Sequence, residues 1–98
     1  MRFTLVRQIY FHSREAGLVS KYVAKDVNSE ASPQIGYEFE DSAWHRNDPI
    51  KAESISIDSE TGKCTVTLNS KLVEIASDVD RYYEIAVKHH GWKDWFAN

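Results

Sequence analysis

The chain has 98 residues and a mass of 11.3 kDa, of which 42% are hydrophobic, 12% aromatic and 28% charged. Those values exclude a disordered tail and leave room for a single domain spanning 1–98. Twelve Lys and Arg against 15 Asp and Glu give a net charge of −3, which argues against a nucleic-acid binder, and the lone Cys64 excludes a disulfide framework or a multi-cysteine zinc site. No apolar run approaches the ~20 residues needed to span a bilayer. The opening residues lack the apolar core and cleavage site of a secretory signal, so the cytoplasm is the expected compartment.

Residues 2–11 alternate as a strand. Phe3, Leu5, Ile9 and Phe11 share one face, which Arg7 interrupts, while Thr4, Val6, Gln8 and Tyr10 lie opposite. Ser13 then reads as a helix N-cap with Glu15 in the first turn. Apolar residues at 16, 18, 19, 22, 23 and 27 predict a helix over 14–27. Gly17 weakens it by about 1 kcal/mol, and a strand over 18–27 is the competing reading because Val and Tyr favour sheets. A loop follows over 28–34. Ile35, Tyr37 and Phe39 alternate with Gly36, Glu38 and Glu40 as a half-solvated strand, and 41–49 is a polar loop containing Trp44.

The firmest expectation is a hairpin turning at 59–62, where Gly62 supplies the positive φ the loop needs. Asp58 then pairs with Lys63, Ile57 with Cys64, Ser56 with Thr65 and Ile55 with Val66. Each pair matches in character, which fixes the register and places Cys64 on the core side. Asn69 or Ser70 would cap a long second helix carrying Leu72, Ile75, Ala76, Val79, Tyr82, Tyr83 and Ala86; alternatively, the helix breaks near 77, where Ser77 and Asp80 cap a fresh one. His89 and His90 fall in its last turn and Gly91 just beyond it. Trp92, Trp95 and Phe96 are spaced for a short helical turn folding back onto the core. The pattern therefore predicts an α+β two-layer sandwich: a small, mostly antiparallel sheet with one face covered by two helices, in the order β-α-β-β-β-α. Glu38, Glu40, Ser54, Ser56, Asp58, Lys63, Thr65 and Thr67 would form its wet face.

Charge is unevenly spread, since residues 28–60 carry eight acids and two bases. A negative surface of this kind would steer the protein toward a basic groove on a partner, as an acidic inhibitor or accessory factor; the plainer reading is solubility and edge protection. Arg14, Lys21 and Lys25 would line one side of the first helix, either as a phosphate-contacting stripe or as a solvated face. No pair of histidines has the i, i+4 spacing of a helical zinc site, no Gly-x-Ser-x-Gly elbow is present, and the four glycines are scattered. No metal or cofactor is therefore expected. His12 or His45 would be the general acid or base of a small enzyme only if strand end and loop met.

The segment 42–49 carries the side chains that dominate binding hot spots. Trp44 offers a rigid apolar surface, Arg46 a bidentate fork, Asn47 two-way hydrogen bonding and His45 a titratable ring, with Glu38 and Glu40 beside them. Alternatively, Trp44 tucks over the open end of the core. If Trp92, Trp95 and Phe96 were exposed instead of packed, they would form an apolar patch for a partner or a second copy, and an exposed strand would serve a homodimer equally. The sequence reads best as a non-catalytic binding protein with a macromolecular partner, most simply another protein.

Overall fold

The computed structural model describes residues 1–96, and it is built mostly of sheet around one helix. Two 12-residue strands, β1 (Arg2–Ser13) and β2 (Gly17–Asn28), form a long antiparallel hairpin in which Ser13 pairs with Gly17 and Arg2 with Asn28. Short β3 (Glu38–Phe39), β4 (Ile50–Ile57) and β5 (Cys64–Leu68) follow, then β6 (Lys71–Leu72), helix α1 (Ser77–His89) and β7 (Lys93–Asp94). The strand order is β3-β4-β5-β1-β2-β7, with β6 also against β1. Both β5 and β6 run parallel to β1, so the sheet is mixed, and it curls into a half-barrel.

The expected two-helix sandwich is thus corrected to a sheet with a single helix. The predicted helix over 14–27 is strand β2, in line with the competing strand reading over 18–27. Ser13 does cap locally, its hydroxyl accepting the Ala16 amide at 2.9 Å, but it caps a three-residue turn that Gly17 closes at φ +67°. The residues of β2 that face α1 and the core are Val19, Lys21, Val23, Lys25 and Val27, which pair with Phe11, Ile9, Arg7, Leu5 and Phe3. Two lysines on that face break the alternation and leave a pattern that mimics a helical stripe. Both have partners: Lys21 reaches Asp80 at 3.2 Å, and Lys25 reaches Asp41 at 2.6 Å.

The long second helix shortens in the same way. Asn69 caps no helix; its side chain accepts the Lys51 amide and donates to the Pro49 carbonyl, stitching β4 to the chain after β5. Residues 71–72 pair with β1 as β6, and the helix begins at Ser77, with no side-chain cap. Val79 and Ala86 bury its apolar side. Gly91, at φ +77°, turns the chain so that the Trp92 amide donates to the Ala86 carbonyl, and the expected helical turn over 92–96 is instead strand β7 paired with β2.

The β4–β5 hairpin takes the expected register: Ile55 faces Val66, Ser56 faces Thr65 and Ile57 faces Cys64. Cys64 and Val66 are buried, yet Ile57, at the end of β4, is 64% exposed. The opposite face is only partly wet. Ser54, Ser56, Asp58, Lys63 and Thr67 are exposed, but Thr4, Val6 and Ala24 on the same side are buried. The core on the α1 side gathers Phe3, Leu5, Ile9, Val23, Val66, Leu68, Trp44 and Trp92.

Candidate functional site

The loop between β3 and β4 is held down by two carboxylates whose partners sit on the hairpin spine. Asp48 takes a bidentate pair from Arg7, at 3.0 and 2.8 Å, and a further hydrogen bond from Lys71 at 2.9 Å. Arg7 is fully buried, and its Nε donates to the Asn69 carbonyl at 2.9 Å. A bidentate fork with a third acceptor is the geometry that lets a buried guanidinium keep its charge. At the other end of the loop, Asp41 accepts from Lys25 at 2.6 Å, from the Trp92 indole at 2.9 Å and from the Ala43 amide at 2.9 Å.

Burial pushes both carboxyls up. Hydrogen bonds from Lys25 and Trp92 at Asp41, and from Arg7 and Lys71 at Asp48, outweigh it and hold both pKa values below the ordinary carboxylate range.

Trp44 lies between these anchors. Its ring is 4.5 Å from the Arg7 guanidinium and 5.5 Å from the Trp92 ring, edge to face, and only 7% of its surface is exposed. It therefore takes the second of its two expected places, over the open end of the core. Its indole nitrogen is buried with no hydrogen-bond partner among the described residues.

Around Trp44 opens a groove of about 660 Å³. Glu38, Glu40, His45 and Arg46 line it together with Phe39, Trp44 and Ile50. Five of the six residues singled out in the sequence thus border one concavity; the sixth, Asn47, is exposed on the same loop but does not line it. Glu38, Glu40, His45 and Arg46 are exposed, and Glu38 makes a surface ion pair with Lys51 at 3.5 Å. The His45 Nδ1 accepts the Asn47 amide at 3.1 Å.

Other candidates are scattered or already engaged. His12 stands near the hairpin tip, paired with Leu18, and does not line the groove with His45. Arg14 is in the exposed turn, Lys21 is exposed beside Asp80 of the helix and half-buried Lys25 is held by Asp41 of the loop, so the stripe of three cations does not form. Lys21 also stands 4.4 Å from the Tyr83 ring centroid. The terminal aromatics divide: Trp92 is core, half-buried Trp95 stands 5.2 Å from the Lys63 ammonium on the opposite face, and Phe96, 72% exposed, meets Tyr22 edge-on. Among the described residues no three His, Cys, Asp or Glu side chains gather as a metal site, and no helix is long and apolar enough to cross a membrane.

Sequence reasoning missed Asp41 and Asp48 as anchors. The available signal was Arg7 on an otherwise apolar strand face, since a buried guanidinium requires a carboxylate from elsewhere in the chain.

No protein-family model matches the chain, and searches of curated proteins and of solved structures return no match.

Proposed function

We propose that this is a non-catalytic binding protein that receives a segment of a partner protein in the groove beside Trp44. The observation that carries the reading is the combination of a locked floor and a charged rim. Asp41 and Asp48 fix the loop from below, so Glu40, His45 and Arg46 are presented without a large ordering cost on association. Glu38 and Glu40 favour a basic side chain from the partner, Arg46 favours a carboxylate, and half-buried Phe39 suits an aliphatic stem. Exposed Glu38 and Glu40, which line the opening, would speed encounter with a basic partner surface.

The test is affinity capture from the native cell with the intact chain, compared with Glu40→Lys and Arg46→Glu. Both positions are exposed, so the variants should melt with the parent. A specific protein retained by the parent and weakened at least tenfold by either variant supports the reading. An identical capture profile from all three proteins would refute it. Trp44→Ala is unsuitable as a probe, because emptying this buried position costs about 3–5 kcal/mol of stability on its own.

A further inference from the structure

On the side of β4 away from β5, β3 pairs only with Lys51 and Ile50, and the backbone bonds of Gly36 and Tyr37 end at Ala52. There the chain turns away through Gly36 at φ +91°, and a bulge between Ala52 and Ser54 resets the ladder. Beyond the bulge no strand lies on that side of β4 among the described residues. The Asp58 amide donates to the Lys63 carbonyl, so alternation of the antiparallel ladder turns Ser56 and Ser54 toward β5 and turns the N–H and C=O of Ile55 and Ile57 outward. Apolar side chains flank this open edge: Ile57 is 64% exposed, Ile35 70% and Tyr37 44%.

We propose that this edge pairs antiparallel with the same edge of a second copy of the chain, about a two-fold axis at Ser56. In that register Ile55 opposes Ile57 of the second copy, Ser56 opposes Ser56, and Ser54 opposes Asp58. The outward groups of Ile55 and Ile57 then exchange about four main-chain hydrogen bonds across the axis. Apolar meets apolar, and polar meets polar. Shifting the register to place Ile55 opposite itself would set Ile57 against Glu53 and lose the match. At the ends of the contact, exposed Lys51 of one copy lies toward the acidic turn of the other, with Asp58 and Glu60, while Glu53 opposes Ser59. Gly36 and Tyr37 block further pairing, so the contact is short, and each copy uses its edge once. The assembly closes as an isologous dimer and not a fibre. It lies outside the residues that line the groove, leaving two grooves per dimer.

The axis makes Ser56 the decisive position. A non-hydrogen-bonded antiparallel pair brings Cα atoms to about 4.5 Å, within the range a disulfide spans. With the full chain and oxidised glutathione, Ser56→Cys should cross-link to a covalent dimer. Thr67→Cys, exposed on the neighbouring strand, should not, and Cys64 in the parent should stay inert because it is buried. By sedimentation equilibrium, Ile57→Lys should raise the dimer dissociation constant at least tenfold at unchanged helix and strand content. The proposal fails if the parent is monomeric at about 100 µM. It also fails if Thr67→Cys cross-links as well as Ser56→Cys, or if Ile57→Lys leaves the dimer intact. Should Ile57→Lys not fold, the Ser56→Cys comparison decides alone.

Discussion

The guanidinium of Arg7 occupies a place in the sheet where its neighbours are Phe3, Leu5 and Ile9. It is tolerated there because Asp48 meets it with two oxygens, Asn69 offers a carbonyl and Trp44 lays a ring against it. Removing the carboxylate would leave a fully buried cation without its anion. Asp48→Ala is therefore expected to cost about 3 kcal/mol or more, read as a lower urea midpoint at neutral pH. The same carboxyl and Asp41 set the acid response. Both have folded pKa values below the unfolded value of about 3.9, so the unfolded chain binds more protons through the acid range and stability rises with pH there. Their contribution is complete above roughly pH 5 and drains away as pH falls through the depressed folded values. Urea midpoints at about pH 7 and pH 3 should differ more for the parent than for Asp48→Asn.

At the level of elements, the hairpin spine explains both what the sequence discloses and what it conceals. The β4–β5 pairing was legible because Ile57, Ser56 and Ile55 each met a partner of like character across a turn marked by Gly62. Strand β1 was legible despite Arg7. Strand β2 was legible only as the competing reading over 18–27, because Lys21 and Lys25 occupy positions facing α1 and the core, and their partners Asp80 and Asp41 lie far along the chain. Local pattern cannot register a lysine neutralised by a residue 16 or 59 positions away. The helix was legible from Ser77, the alternative start, but not over the residues before it, for a related reason: Leu72 lies on the apolar stripe but pairs with Tyr10 of β1. The candidate loop was legible as a cluster of binding side chains, while its attachment through Asp41 and Asp48 was hidden behind the same long-range pairs. The turn joining β1 and β2 gives a direct check. Gly17 has open space around its missing Cβ but sits at φ +67°, so Gly17→Ala should destabilise by about 1 kcal/mol from backbone strain alone, read from chemical denaturation.

For the molecule as a whole, a half-barrel with one helical lid leaves an open end, and the loop carrying Trp44 closes it. The core thus depends on a segment without regular structure, tied by buried charge and aromatic contacts instead of a ladder. Such a segment can hold an exposed rim of Glu40, His45 and Arg46 in fixed relation to a rigid floor. Amide hydrogen exchange across residues 41–49 of the free protein measures this most directly. The ion pairs and the bond from the Asp48 amide to the His45 carbonyl at 2.7 Å predict that Trp44 and Asp48 exchange slowly, close to the rates of the β1–β2 ladder. Exchange of those amides at the rate of an unstructured peptide, with the strands still protected, would contradict it.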